Sequence, residues 1–353
     1  MSETVYTQLA EHLDRLPAGY PKTESGVEIK ILKKLFTPEE AHIASALTMM
    51  PEPVAAIAAR LGMAESQLAD KLFDMSKKGL IYRSSKGGAH QYMAAQFVIG
   101  IWEYHVKDLD EELIRLFNEY SPHLMKQTWM KVPTKQLRVI PIAKSVSAEM
   151  QIMPYDAAEA IVRKQSKIVV SPCICRTEHK MVGKGCDKPI EVCLSFGSGA
   201  FYYEENGLGR SITQDEAIRI LELGQEAGLV LQPGNSQKPT NICLCCGCCC
   251  QILKNLKAMD EPARWVHSNF RAEVRQEDCT GCGTCVERCQ MDAIQLEDTA
   301  EIRPERCIGC GLCVSTCPVD AITLKEKTSE AKWTPPANIV ETYVNMAKER
   351  GLV

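Results

Sequence analysis

The sequence predicts an α+β protein of several domains. Three observations carry this prediction. Residues 1–95 contain no cysteine and show helical periodicity with clear start and stop signals. All 18 cysteines fall between Cys173 and Cys317, where β-branched runs lie among cysteine-rich loops. Within that stretch one four-cysteine pattern occurs twice. A chain of 353 residues fits roughly two or three domains, and 45% hydrophobic residues suffice for ordinary cores.

Five stretches follow in order. In residues 1–95, Thr37-Pro38-Glu39-Glu40 has a capping-box pattern, with Thr37 as N-cap, proline at the first helical position and Glu40 three residues on. Pro51 and Pro53 break the helix that follows. Val54–Leu61 and Glu65–Lys78 read as two more helices, stopped by Gly62 and Gly79. Leu80-Ile81-Tyr82 and His90-Gln91-Tyr92-Met93 flank a Ser/Lys/Gly turn, as in a β-hairpin. Three short helices and a hairpin resemble a winged helix-turn-helix domain. Residues 96–170 read as a mostly helical connector with short strands. A strand is expected at Arg138–Ile142, a helix capped by Asp156 is expected to run to about Gln165, and Ile168-Val169-Val170 reads as a β-branched run. Residues 171–270 hold the first ten cysteines and a third capping box at Thr213–Glu216, whose helix should stop at Gly228. Residues 271–326 contain the duplication. Residues 327–353 read as a linker with Pro335-Pro336 and a tail helix.

The net charge of −4 argues against a duplex-binding protein, which usually carries a basic surplus. The Glu65–Lys78 helix carries Lys71, Lys77 and Lys78 but also Glu65, Asp70 and Asp74, and it offers no arginine for a guanine edge. Nucleic acid is therefore not the expected partner. The opening residues show neither a basic nor an apolar leader segment, and no apolar run reaches the roughly 18 residues of a membrane span. The expectation is a cytoplasmic protein. In that reducing compartment thiols stay free, so metal ligation explains so many of them better than disulfides do.

Cys279, Cys282, Cys285 and Cys289 follow C-x2-C-x2-C-x3-C spacing, and Cys307, Cys310, Cys313 and Cys317 repeat it 28 residues later. Three cysteines at i, i+3 and i+6 wrap a tight loop around three irons of a cubane, and the fourth iron needs a thiolate from elsewhere. Gly281, Gly283, Gly309 and Gly311 let backbone approach the cluster. Zinc sites favour separated C-x2–4-C arms instead. This segment resembles the bacterial two-cluster ferredoxin, whose fourth cysteine in each run ligates the other cluster. The resemblance implies one cluster on Cys279, Cys282, Cys285 and Cys317, and another on Cys307, Cys310, Cys313 and Cys289. Asp292-Ala293-Ile294 and Asp320-Ala321-Ile322 open the short strands this family has there. Gln290 departs from it by standing where proline usually follows the fourth cysteine.

The ten other cysteines are Cys173, Cys175, Cys186, Cys193, Cys243, Cys245, Cys246, Cys248, Cys249 and Cys250. Cys243, Cys246 and Cys249 again have C-x2-C-x2-C spacing, and a fourth ligand could come from the Cys173–Cys193 arm. Cys245 and Cys248 form an overlapping pair pointing another way. One further cubane, two further cubanes, a non-cubane cluster, and zinc or inert thiols all remain open from spacing alone. Total cofactor content is thus at least two [4Fe–4S] clusters, with three or four expected. Arg176, beside Cys175, is either a donor to a cluster sulfur or a surface charge. Phe196–Tyr203 is glycine-rich but lacks a dinucleotide fingerprint, and it reads as a loop packing over a cluster.

The whole arrangement resembles large 4Fe–4S binding proteins of anaerobic bacteria. These have a winged-helix-like N-terminal segment, a CxCR arm such as Cys173–Arg176, a CxCC run such as Cys243–Cys246, and a two-cluster ferredoxin domain. The resemblance implies an electron-transfer subunit relaying low-potential electrons to or from a partner protein, a flavoprotein or other oxidoreductase. Two alternatives stand beside it: thiol or disulfide redox chemistry at Cys243–Cys250, and a redox-sensing DNA-binding regulator.

Overall fold

Helices in the N-terminal region start where the sequence supplies caps. In the computed structural model, which describes residues 2–150 and 152–353, Thr37 accepts the Glu40 amide at 3.3 Å. The Glu40 carboxylate accepts the Thr37 amide at 2.8 Å. This reciprocal cap opens helix Pro38–Ser45. Helices Val54–Leu61 and Glu65–Lys77 follow, and Gly62 closes the first with a left-handed φ of 64°. Ile57, Leu68, Leu72 and Met75 are buried beneath them. Strands β1 (Tyr82–Lys86) and β2 (Ala89–Met93) form the expected antiparallel hairpin. Glu52 adds an isolated bridge to Tyr92.

The chain divides into two units. The first comprises the stretch up to Pro133 with Tyr202–Leu208 and Tyr343–Val353. Its helix Glu111–Leu124 is capped by Asp110, which accepts the Leu113 amide at 2.8 Å. Phe117 on that helix stacks on Trp102 at 3.7 Å, and Tyr20 packs on Phe97 and Tyr120. Tyr202 donates to the carbonyls of Ser76 and Ile81 at 2.9 and 3.0 Å. The lysines of the Glu65–Lys77 helix and its cap are occupied. Lys71 pairs with Glu39, Lys78 with Glu40, and Lys77 donates to the Glu205 carbonyl.

The second unit comprises Thr134–Phe201 and Gly209–Thr342. Its centre is an antiparallel sheet of β3 (Ile168–Pro172), β4 (Glu191–Phe196), β5 (Arg210–Ile212), β6 (Val230–Pro233) and β7 (Asn241–Cys245), in the order β5-β3-β4-β7-β6. Thr213 caps helix Gln214–Glu226 by accepting the Glu216 amide at 3.1 Å. The Glu216 carboxylate completes no box, because Arg210 takes it at 2.6 Å. β8 (Phe270–Val274) pairs with β11 (Ile322–Glu326), and β9 (Ile294–Leu296) pairs with β10 (Ala300–Ile302). Helix Ile339–Glu349 ends the chain as expected.

Three further sequence expectations are corrected. Arg138–Ile142 is not a strand: it follows β6 only through isolated bridges at Leu137 and Ile140. The Val139 amide goes instead to His267 and the Ile142 amide to Cys310. Asp156 does not cap a helix. Helix Ala158–Arg163 starts without a side-chain cap, because the buried Asp156 carboxylate binds Arg138 at 2.6 Å and accepts from Asn269 at 3.0 Å. Phe196–Tyr203 is not a loop: it ends β4 and opens helix Gly197–Glu205.

Arg138 and Asp156 are 2% and 4% exposed, so their pairing replaces water for both charges. Removing one partner of such a pair costs about 3–5 kcal/mol. Arg138→Met should lower unfolding stability by about that amount, read as a shifted denaturant midpoint under anaerobic conditions. A shift below about 1 kcal/mol would contradict the role given to the pair.

Candidate metal centres

The eight cysteines of the duplicated pattern line two cavities. Cys279, Cys282, Cys285 and Cys317 line one, and Cys289, Cys307, Cys310 and Cys313 line the other. Each set takes three residues from one run and the last cysteine of the other run. The walls are otherwise largely apolar, with Leu296, Val319 and Ile322 at the first and Ile294, Ile302 and Leu312 at the second.

Backbone donors repeat with the same symmetry. The Ala293 amide points at Cys289 Sγ at 3.2 Å, and the Ala321 amide at Cys317 Sγ at 3.3 Å. The Ala300 amide reaches Cys279 Sγ at 3.4 Å, and the Ala272 amide reaches Cys307 Sγ at 3.5 Å. The turns that aim the first pair need Asp292 and Asp320 at φ of 50° and 49°, a conformation aspartate tolerates better than most residues. Gly309 has φ of 67°, and a Cβ there would strike the Phe270 carbonyl oxygen. Burial pushes the Cys285, Cys289 and Cys313 thiols above their ordinary range. Buried thiolates need a compensating cation, and a metal cluster provides one. Amide donors at sulfur, apolar walls and crossed sulfur sets fit [4Fe–4S] clusters.

The ten upstream cysteines separate into two further groups. Cys243 and Cys245 alternate along β7 with the buried Ile242 and Leu244, so their sulfurs share one face. The pairing of Leu194 with Ile242 puts Cys193 of β4 on that same face. Cys173 and Cys175 follow the end of β3, and Cys250 immediately precedes helix Gln251–Lys257. Each of these six thiols interacts with two of the others, which orders them as a ring, 173, 175, 250, 245, 243, 193. Interactions with these neighbours hold Cys173, Cys243 and Cys250 well below the usual thiol range, while Cys175, Cys193 and Cys245 are raised. Asn241 donates to Cys243 Sγ at 3.5 Å, and Gln232 to Cys250 Sγ at 3.9 Å.

The second group is Cys186, Cys246, Cys248 and Cys249, whose sulfurs all lie within 4.8 Å of one another. The C-x2-C-x2-C spacing of Cys243, Cys246 and Cys249 is therefore split, with Cys243 in the ring and the other two in the compact set. Cys245 and Cys248 are parted in the same way. Arg176 is buried at 1% exposure, which settles the open reading of that side chain. It donates to the Leu244 carbonyl at 3.0 Å and to Cys246 Sγ at 3.8 Å, while its Nε and second terminal nitrogen have no partner. Such buried orphan donors are costly, and an anionic cluster or metal–thiolate centre beside them would supply the acceptor.

Sequence reading missed the residues that join these centres. Gln290, in the place of the family's proline, accepts the Gly247 amide on its side-chain oxygen at 2.8 Å. A Cβ on Gly247 would strike the Gln290 carbonyl. Arg288 donates to the carbonyls of Gln225 and Glu226, and Arg306 to those of Lys257, Met259 and Asp260. The two arginines thus close the ends of helices Gln214–Glu226 and Gln251–Lys257. The departure at position 290 was the visible signal; what it contacts was not.

Residues 272–324 match a family model described as a 4Fe-4S dicluster domain, and residues 306–348 match a second model of the same description. The second match begins at the second cysteine run, and residues 318–348 hold no cysteine, so both describe one eight-cysteine region. No curated protein and no solved structure matches the chain. The C-terminal region is thus a ferredoxin-type iron–sulfur region. The protein binds at least two [4Fe–4S] clusters, and these domains support an electron-transfer role. Among the described residues, no helix is long and apolar enough to cross a membrane.

Adding a methyl group against packed backbone costs typically about 1–3 kcal/mol. Gly247→Ala should therefore destabilise the protein more than Gln290→Ala, which removes one acceptor and leaves space. Equal denaturation midpoints for the two variants would contradict the close approach.

Proposed function

We propose that this protein is an electron carrier of several centres, working beside a partner oxidoreductase such as a flavoprotein. Cys279, Cys282, Cys285 and Cys317 hold one [4Fe–4S] cluster, and Cys289, Cys307, Cys310 and Cys313 hold the other. When bound, each cluster supplies one-electron chemistry at a potential set by hydrogen bonds and exposure. The observation that carries this reading is the crossing of the sulfur sets: each cavity draws three cysteines from one run and one from the other.

The protein's own residues give the two sites different surroundings. Cys282 is exposed, as are Leu296 and Val319 beside it, so the first site is the entry point for a redox partner. Behind the second site lie Ile142, whose amide binds the Cys310 carbonyl at 3.1 Å, and Gln290. Gln290 leads on through Gly247 to the upstream sulfurs. The six-sulfur ring of Cys173, Cys175, Cys193, Cys243, Cys245 and Cys250 is the third redox centre, a polynuclear cluster. The winged-helix-like elements of the N-terminal unit serve packing rather than DNA binding, because Lys71, Lys77 and Lys78 are already occupied.

Two measurements test this. Anaerobically purified protein should contain more than eight irons with matching acid-labile sulfide, and dithionite should produce interacting S = 1/2 signals. Cys317→Ser, although in the second run, should disturb the cluster of the first run and leave the other intact. Little or no iron, or loss of the second-run cluster instead, would overturn the assignment.

A further inference from the structure

We infer that Cys186, Cys246, Cys248 and Cys249 form a closed site for a single zinc ion, chemically distinct from every cluster site in the chain. The sulfur separations decide this. Cys186 lies 4.0 Å from Cys246 and 3.7 Å from Cys249, and Cys249 lies 3.8 Å from Cys248. A tetrahedron of thiolates around zinc at about 2.3 Å places neighbouring sulfurs about 3.8 Å apart. A cubane puts a lattice of irons and sulfides between its thiolates and holds them farther apart.

The same structure contains its own comparison. Among the described residues, this is the only group of three or more metal-ligating side chains whose ligand atoms all lie within 4.8 Å of one another. The cysteine sets lining the two ferredoxin cavities are not drawn together in this way, and neither is the six-sulfur ring. A pair of zinc ions sharing bridging thiolates would also draw the ring sulfurs into close groups of four, so the ring is not a second site of the same kind.

The surroundings suit a closed tetrahedral ion. Cys246, Gly247, Cys248 and Cys249 form a tight turn, in which the Cys250 amide binds the Cys246 carbonyl at 3.1 Å. Cys246 and Cys249 are fully buried, and four protein sulfurs leave no open position for substrate. Four thiolates around a divalent ion carry excess negative charge, and Arg176 reaches Cys246 to balance part of it. Residues 182–190, which carry Cys186, form no helix or strand. The ion would pin this arm to the turn that bears Gly247. Its role is positional, since zinc has no redox chemistry.

The test uses the full chain, purified anaerobically without added metal. One zinc per chain is expected in addition to iron, and X-ray absorption at the zinc edge should show four sulfur neighbours near 2.3 Å. Cys186→Ser should remove that zinc while leaving iron, sulfide and the reduced EPR signals unchanged. Absence of zinc, nitrogen or oxygen neighbours in its shell, a zinc content unaffected by Cys186→Ser, or loss of iron and sulfide from that variant would each overturn the inference. The absorption measurement on the unaltered protein does not depend on the variant folding. Loss of the ferredoxin signals with zinc retained would count against the electron-carrier reading and leave the zinc site standing.

Discussion

The contact of Gly247 with Gln290 is the constraint on which the arrangement of the second unit turns. It brings the turn after one ferredoxin run against the turn that carries the upstream sulfurs. Only a residue without a side chain fits on one side, and only a residue with a side-chain acceptor satisfies the buried amide on the other. Proline at position 290 would leave that amide without its partner. Arg288 and Arg306 reinforce the docking by taking carbonyls at two helix ends, where the backbone has no partner of its own and where positive charge is favoured. The ferredoxin region is thereby held, through backbone groups, against the Gly247 turn and the ends of helices Gln214–Glu226 and Gln251–Lys257.

The dense cysteine run is split between two groups of sulfurs because the chain changes conformation within it. Cys243 and Cys245 obey the two-residue period of a strand. Cys246, Cys248 and Cys249 lie in a turn, and Cys250 begins a helix. Each change redirects the next sulfur. A ring of six and a compact set of four emerge from cysteines that are neighbours in sequence, and Arg176 sits between them. The two groups differ in how closely their sulfurs approach one another.

In the N-terminal unit, order rests on aromatic packing and on caps rather than on metal. Trp102 against Phe117, and Tyr20 against Phe97 and Tyr120, fill the interior around helix Glu111–Leu124. Ion pairs on its surface are exposed and contribute little stability, but they occupy the lysines that a duplex would otherwise require.

Local signals were readable directly. The Thr37 cap, the stop at Gly62, the hairpin after it, and the strands after Asp292 and Asp320 all depend on residues within a few positions of one another. The two cysteine runs belong to the same class, since three of four sulfurs in each cavity come from one tight loop. Asp156 and Arg138–Ile142 were misread because their partners, Asn269, His267 and Cys310, are far away in sequence and outcompete the local choice. The division of Cys173–Cys250 was hidden for the same reason. It depends on the register that sets Leu194 opposite Ile242, and on an arm carrying Cys186 some sixty residues before Cys246. The sequence by itself determined that this protein carries a ferredoxin-type iron–sulfur region, because the ligand spacing of that motif is local chemistry. Only the tertiary structure decided which of the remaining sulfurs stand together, because strand pairing and long-range backbone contacts aim side chains that spacing alone leaves free.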